Sequence, residues 1–98
     1  QGAMAKAFAK SLEAMEFAKK ANDHRLTVTA TMTLGLGYFA ARDFVSSDSM
    51  YAVALQLCQG KDDDDLRAAI YNCRGILIDQ MQQPQRAIET YRSGLALE

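Results

Sequence analysis

Residues 31–41 read Thr-Met-Thr-Leu-Gly-Leu-Gly-Tyr-Phe-Ala-Ala, an apolar run with glycines near its centre. Its spacing predicts a helix over residues 26–42. A glycine inside a helix costs about 1 kcal/mol relative to alanine, so Gly35 and Gly37 indicate that a neighbouring helix approaches closely. Large side chains occupy two faces of this helix, one with Leu34 and Tyr38 beside Gly35 and the other, turned away from it, with Met32, Leu36 and Phe39. A helix that is apolar nearly all round is buried on more than one side, and we therefore expect this one in the middle of an array, with helices on two flanks.

The sequence repeats with a period of 40 residues. A shift by that number places Gly35 on Gly75 and Tyr51 on Tyr91. Other matches under the same shift are Leu55 with Leu95, Leu57 with Leu97, Ala14 with Ala54, Asp23 with Asp63, and Leu26 with Leu66. The matching positions are the ones that would pack in a helical hairpin. Self-similarity at a fixed period of this length is typical of stacked repeat architectures.

The period predicts five helices arranged as antiparallel hairpins. Each unit has a glycine-bearing first helix, at 26–42 and about 65–81, and a second helix, at about 44–59 and 84–97. The segment before them matches only the second helix of a unit. The prediction is therefore a single all-α domain over residues 5–98, divided into a half-repeat 5–21, a repeat 22–60 and a repeat 61–98. Residues 1–4, Gln-Gly-Ala-Met, are typical of the remnant of a cleaved tag and are excluded from fold reasoning.

This arrangement resembles the tetratricopeptide repeat (TPR). The resemblance is carried in the first full unit by Leu34-Gly35-x-x-Tyr38 with Phe44, Tyr51, Ala54 and Leu55, and in the second by Tyr71, Gly75, Ala87, Ile88, Tyr91 and Leu95. It implies that the hairpins stack as a right-handed α-solenoid. Four residues depart from the family pattern, namely Ser47, Arg74, Ile78 and Gly94. The period also exceeds the family's usual 34 residues, which is similar to the long-helix variants in bacterial signalling and regulatory proteins.

The resemblance also implies a binding surface, because the glycine-bearing helices of the family line a concave groove. The corresponding positions in this chain are Thr29, Met32, Leu36, Phe39, Ala69, Asn72, Ile76 and Asp79. The first four are largely apolar, so the groove would suit an amphipathic helix or an extended peptide with apolar anchors, and the Asn72 amide would hydrogen-bond a peptide backbone. In the alternative interpretation Met32, Leu36 and Phe39 are core residues, covered by a further helix or by a second copy of the chain. No lysine occupies the groove, which disfavours the carboxylate clamp that some family members use.

Composition excludes several classes of protein. A net charge of −1 leaves no electrostatic footprint for nucleic acid, and no apolar run approaches the roughly 20 residues that cross a bilayer. A chain with 49% hydrophobic residues and one proline is not disordered. The lysines at positions 6, 10, 19 and 20 are predicted to lie on the solvated face of the first helix. Cys58 and Cys73 are expected to stay reduced, which favours a cytoplasmic location.

The sequence contains no constellation of residues that carries chemistry. It shows no pairing of histidine with a nucleophile, no phosphate-binding glycine loop and no carboxylate pair at a cleft, so we predict neither an enzyme nor a cofactor. His24 is predicted to be a solvated loop residue. The four aspartates at 62–65 lack the spaced ligands, glycine turn and terminal glutamate of a calcium loop. They are predicted instead to stabilise a helix N-terminus, as Asn22 and Asp23 do one period earlier.

These observations favour a protein-binding scaffold that docks a peptide or helix in the concave groove. The alternative is a regulatory or dimerising segment of a larger bacterial signalling or transcription-regulating protein. It is motivated by the last helix, which ends apolar at Leu95 and Leu97 and would be covered by a further helix or by a homodimer partner. Solenoids also need about three repeats for a continuous core, and we expect the natural protein to be longer. Catalysis is the least favoured class.

Overall fold

The computed structural model describes residues 2–97, and within that range the chain is all-helical with five α-helices and no β-strand. The helices are α1 (Gly2–Lys20), α2 (His24–Ala40), α3 (Phe44–Leu57), α4 (Asp64–Gln80) and α5 (Pro84–Leu95), with a 3-10 turn at Lys61–Asp63 before α4. The prediction of five helices is confirmed, and most of their ends lie within two residues of the expected ones. Gln1, the first residue of the expected tag remnant, lies outside the described residues.

Helix α2 is the central element. It packs against α1, α3 and α4, whereas α5 packs against α4. The Cα atoms span 36 × 35 × 15 Å, and the shortest dimension corresponds to about two layers of helices at the usual 8–10 Å separation. The expectation that the glycine-bearing helix has neighbours on more than one side is confirmed.

Three of the four connections are the same tight turn. Asn22, Arg42 and Gln82 have positive φ angles of 56°, 63° and 60°. At the second turn the N–H of Asp43 donates to the carbonyl of Tyr38 at 2.9 Å, and the N–H of Arg42 donates to that of Phe39 at 2.9 Å. These bonds satisfy carbonyls at the end of a helix and let the chain reverse within two residues. The turns therefore produce the predicted antiparallel hairpins.

Aspartate caps begin α2 and α3. The carboxylate of Asp23 accepts from the N–H of Leu26 at 3.1 Å, and that of Asp43 accepts from the N–H of Ser46 at 3.2 Å. A capping carboxylate satisfies one of the N–H groups that a helix leaves unpaired at its start. The predicted role of Asp23 is confirmed.

The connection between α3 and α4 differs from the other three. It passes through Gly60, with φ 61° and ψ −173°, and the 3-10 turn. The prediction that its aspartates repeat the role of Asp23 is wrong for Asp63, which precedes α4 but makes no side-chain cap to it. Its carboxylate instead accepts from the N–H of Gln59 at 2.6 Å, because the 3-10 turn directs it back towards the end of α3 and towards α2.

The two central glycines have equivalent surroundings. A Cβ atom added to Gly35 would lie 2.6 Å from the ring of Tyr51, and one added to Gly75 would lie 2.5 Å from the ring of Tyr91. Both distances are shorter than side-chain carbons tolerate. Each unit therefore packs the tyrosine of its second helix against the glycine of its first, and the 40-residue period is structural as well as sequential.

The core lies at the junction of the two hairpins. Its members are fully or almost fully buried and come from α2, α3 and α4: Val28, Tyr51, Ala54, Ile70 and Leu77. Burial raises the pKa of Tyr51 to about 12, so this phenol remains neutral at any physiological pH. The hairpins are joined through apolar side chains of α2 and α3 that contact α4.

Contacts in the structure account for three of the four departures from the TPR pattern. Ser47 is fully buried and its hydroxyl donates to the carbonyl of Gly35 at 2.7 Å. A Cβ atom on Gly94 would lie 3.1 Å from Cβ of Tyr71 and 3.5 Å from the carbonyl oxygen of Ala68, so the close approach of α4 leaves little room for a side chain there. The guanidinium of Arg74 donates to the carboxylate of Asp48 at 2.8 Å and links α4 to α3. We have no physical account of Ile78 beyond its burial.

Substituting the central glycines tests the tyrosine contact. We expect Gly35→Ala to lower the free energy of unfolding by about 1–2 kcal/mol. A contact of 2.6 Å with a buried ring belongs in the upper part of the roughly 1–3 kcal/mol range for overpacking, and improved helix propensity offsets about 1 kcal/mol of that cost. Gly75→Ala should destabilise less, since Tyr91 is only half-buried whereas Tyr51 is 1% exposed. Urea denaturation followed by circular dichroism measures both values.

Gly37→Ala is the matched control on the same helix. Its Cβ atom would lie 3.0 Å from the ring of Phe8, which is only half-buried and has room to move. We expect this variant to lie within about 0.5 kcal/mol of wild type. Equal stability of Gly35→Ala and wild type would contradict the role assigned to the tyrosine.

Candidate binding surface

Helices α2 and α4 contact each other. The guanidinium of Arg25 contacts the carboxylate of Asp65 at 2.7 Å, which joins two positions that are 40 residues apart. At helical spacing, the residues that share a face with Arg25 on α2 are Thr29, Met32, Leu36 and Phe39, and those that share a face with Asp65 on α4 are Ala69, Asn72, Ile76 and Asp79. From Arg25 to Phe39 the face is about 21 Å long at 1.5 Å per residue. We call it the α2–α4 surface.

The eight residues predicted from the TPR resemblance all lie on this surface but differ in exposure. Thr29, Leu36, Asn72, Ile76 and Asp79 are exposed. The other three, Met32, Phe39 and Ala69, are half-buried. Leu36 and Ile76, which occupy equivalent positions, are each 43% exposed. Each unit therefore exposes one apolar side chain at the equivalent position of its first helix.

Met32 and Phe39 belong to the core as well as to this surface. Both pack against the buried cluster at the junction of the hairpins. The Phe39 ring centroid lies 5.7 Å from that of Phe44, and the guanidinium of Arg42 lies 5.1 Å from the Phe44 centroid. Met32 and Phe39 are therefore partly in the core of this chain itself, whereas Leu36 is exposed. The interpretation that a further helix or a second copy covers these residues stays a prediction.

A cluster of charged residues closes one end of the surface, and the sequence analysis missed it. His24 was expected in a solvated loop, which is wrong: it is the first residue of α2, and its Nε2 lies 2.8 Å from Oδ2 of Asp63. Arg25 contacts Oδ1 of the same carboxylate at 3.1 Å. Asp63 is only 2% exposed. The 40-residue shift aligns Asp63 with the capping Asp23, which was the only signal for Asp63 in the sequence. That alignment predicts a cap and gives no indication that Asp63 contacts His24 and Arg25.

These contacts set the protonation of the cluster. The pKa of Asp63 is lowered, first because its carboxylate accepts the N–H of Gln59 and then because it bonds His24, while desolvation opposes both. The bond from Arg25 lowers the pKa of Asp65, and the same bond raises the pKa of Arg25. The carboxylates therefore stay ionised near neutral pH, and they tie the start of α2 to the start of α4.

The remaining aspartates of the run are also engaged in ion pairs or exposed. Asp64 contacts the guanidinium of Arg67 at 2.8 Å, and the carbonyl of Asp62 accepts from Arg25 at 3.0 Å. In residues 2–97 no group of three or more His, Cys, Asp and Glu side chains is placed to hold a metal ion. The run serves to link helices through arginine.

Both cysteines are free and half-buried. Burial raises the pKa of the Cys58 thiol and that of Cys73, so neither is a ready nucleophile at neutral pH. Of the helices that the structure describes, none combines the length and the apolar character needed to span a membrane.

Comparison with known proteins supplies no relative. No family model, no curated protein and no solved structure matches this chain. The TPR resemblance therefore remains a prediction that depends on the residues quoted above and on the repeated glycine–tyrosine contact.

The charged cluster predicts how the fold responds to acid. Because the pKa of Asp63 lies below its ordinary value of 3.8 in the folded chain, this carboxylate stabilises the fold fully above the ordinary value and loses its effect as the pH falls through the lowered pKa of the folded state. We expect Asp63→Asn to lower the free energy of unfolding at neutral pH, and its difference from wild type to shrink as the pH falls below about 5 and on through that lowered pKa. Urea denaturation across that range measures the effect.

Asp62→Asn is the control, since it removes the charge of an adjacent, exposed aspartate. Arg25 contacts the backbone carbonyl of Asp62 and not its side chain, so this contact is kept in the variant. It should change stability by less than about 0.5 kcal/mol at neutral pH. Parallel pH dependence of wild type and Asp63→Asn would show that Asp63 does not provide the stabilisation.

Proposed function

We propose that this chain is a protein-interaction scaffold, a TPR-like right-handed α-solenoid that binds a peptide or helix along the α2–α4 surface. The observation that carries the proposal is the pair Leu36 and Ile76. They are apolar, equally exposed at 43%, and related by the repeat. Each lies on the first helix of its unit, so the distance between them is set by the separation of α2 and α4.

That spacing suits a regular partner. Adjacent helix axes lie about 8–10 Å apart. Residues i and i+7 of a helix are about 10.5 Å apart along its axis, and residues i and i+3 of a peptide in the extended polyproline II conformation, which share one face, are about 9 Å apart. A partner with two apolar side chains at either spacing would contact Leu36 and Ile76 together. Large apolar residues at regular spacing are the usual anchors of both binding modes.

The charges of the surface indicate how a partner would be oriented. Arg25 is already paired with Asp63 and Asp65 at one end. At the other end Asp79 is exposed and makes no ion pair among the described residues. Between them Asn72 is exposed and offers both a donor and an acceptor. A partner with two apolar anchors and a basic residue next to Asp79 fits this distribution.

Peptide selection provides the test. Peptides are selected from a random library on the immobilised wild-type chain. Their affinity for Leu36→Asp and for Ile76→Asp should be about tenfold or more below their affinity for wild type, because each substitution places a charge against an apolar anchor of the peptide. Fluorescence polarisation measures the affinities. Ile88→Asp, at a position on α5 that is 45% exposed, is the matched control and should bind as wild type does. Selected peptides that bind all three variants equally would remove this surface from consideration.

Phe39 is a less suitable site for such a test. It packs against the core and against Phe44, so a charge there would alter folding as well as binding. Leu36 and Ile76 separate the two effects because their side chains are partly in solvent.

A second candidate function is self-association as a regulatory or dimerising segment. In the first unit Tyr51 and Ala54 are buried at the junction with α4. In the second unit the equivalent Tyr91 and Gly94 line an open pocket of about 270 Å³ with Leu95, which is 66% exposed. No described residue covers this face, and a second copy of the chain would bury it.

Sedimentation equilibrium distinguishes this candidate. We expect wild type to form a dimer that Leu95→Lys converts to a monomer, because the charge would be buried without a partner. Ile88→Lys on the same helix should leave the dimer intact. A wild-type chain that remains monomeric across a wide concentration range contradicts self-association.

A further inference from the structure

A groove lies between α1 and α3 on the side of α2 opposite to the α2–α4 surface. Successive helix positions are 100° apart, so Leu34 in this groove and Leu36 on the other surface point in nearly opposite directions. Both α1 and α3 pack against α2, which forms the floor, and the space between them has a volume of about 400 Å³. We call it the α1–α3 groove.

The walls of this groove are apolar. Leu12 and Met15 line it from α1, and Met50, Val53 and Leu57 line it from α3. Leu12 is 53% exposed and Val53 is 40% exposed, so both helices that border the groove, α1 and α3, expose apolar surface to water. Methionine side chains are flexible and polarisable and adapt to ligands of irregular shape. The volume lies in the range of about 300–1,000 Å³ that small-molecule sites occupy.

One end of the groove is cationic. Lys19 lines it there beside Thr27, is exposed, and makes no ion pair among the described residues. The Asp23 carboxylate accepts the N–H of Leu26 and is not within ion-pair distance of Lys19, and the Thr27 hydroxyl donates to the carbonyl of Asp23 at 2.8 Å. From Leu12 to Lys19 the wall formed by α1 is about 10 Å long. The groove thus has an apolar length followed by a positive charge.

The second unit repeats the helices but carries different side chains at the positions that line this groove. At the positions 40 residues later, Thr27, Thr31 and Leu34 are replaced by Arg67, Tyr71 and Arg74. Arg74 extends to the carboxylate of Asp48 on α3, and Tyr71 packs against Gly94 on α5. The apolar character of the groove is therefore particular to the first unit, which has small or apolar side chains where the second unit has large or charged ones.

We propose that the α1–α3 groove binds a small amphiphilic anion, an unbranched alkyl chain that carries a carboxylate. The chain lies between Met15 and Met50 over Leu34, and the carboxylate pairs with Lys19. Burial of the alkyl chain supplies most of the affinity, because apolar area removed from water contributes in proportion to its size, and Lys19 sets the direction in which the ligand lies.

Titration of the full chain with decanoate, kept below its micelle concentration, tests the site. We expect saturable binding by calorimetry and shifts of the isotope-labelled methyl resonances of Met15 and Met50. Lys19→Gln should weaken decanoate binding about three- to fivefold, as expected for one exposed ion pair, and leave binding of the neutral alcohol decanol unchanged. Lys20→Gln, one residue along α1, is the matched control and should bind decanoate as wild type does.

A second pair of variants separates the groove from the rest of the surface. Val53→Glu places a negative charge on the wall formed by α3 and should weaken decanoate binding about tenfold or more. Val45→Glu lies on the same helix, outside the groove and 75% exposed, and should have no effect. Leu36→Asp should also leave decanoate affinity unchanged, so failure of the peptide-binding proposal does not affect this one.

Three outcomes would overturn the proposal: no saturable binding, equal binding by wild type and Val53→Glu, or shifts confined to methionines outside the groove. The proposal would also be overturned if the wild-type chain does not bind decanoate but binds an acidic amphipathic peptide, and Val53→Glu no longer binds that peptide. The groove would then serve a protein partner.

Discussion

The structure depends on an aromatic ring lying against the backbone of a neighbouring helix at a glycine. In both units the tyrosine of the second helix occupies the space that a side chain would fill at Gly35 or Gly75. Protein interiors are packed to nearly constant density, so this contact sets how closely the two helices of a hairpin approach. In the first unit the same ring, that of Tyr51, is part of the core at the junction with α4, and one residue therefore joins the hairpin and the array.

Apolar packing leaves the relative position of the two units under-determined, because the hydrophobic effect has no direction. The charged cluster supplies the direction. Hydrogen bonds require particular distances and angles, and Asp63 forms them with Gln59, His24 and Arg25 at once. The start of α2 is thereby held against the start of α4. A consequence is that the cationic charge of Arg25 is neutralised, which leaves the α2–α4 surface apolar in its middle and acidic at Asp79.

The two proposed binding surfaces lie on opposite faces of one helix. From Leu26 to Ala41 helix α2 and its cap contain no charged residue, which explains why the segment is apolar nearly all round. One face contacts α3 and α4, another contacts α1, and what remains is exposed at Leu36 and in the groove beside Leu34. The two surfaces have helix α2 in common, but no exposed side chain belongs to both. Ligands can therefore occupy both surfaces at the same time.

The sequence by itself determined the local features, namely five helices, their antiparallel hairpins, the 40-residue period and the role of Asp23, because these follow from contacts between residues close in the chain or from repeated composition. The TPR resemblance also predicted a binding surface from four residues on one face of α2 and four on one face of α4. Only the tertiary structure decided which of them are exposed, since the burial of Met32 and Phe39 depends on how α4 packs. It alone revealed the partners of His24 and Asp63 and the α1–α3 groove. These involve residues up to 39 positions apart or two helices, α1 and α3, that are brought together by packing on α2, and neither periodicity nor propensity carries information about such contacts.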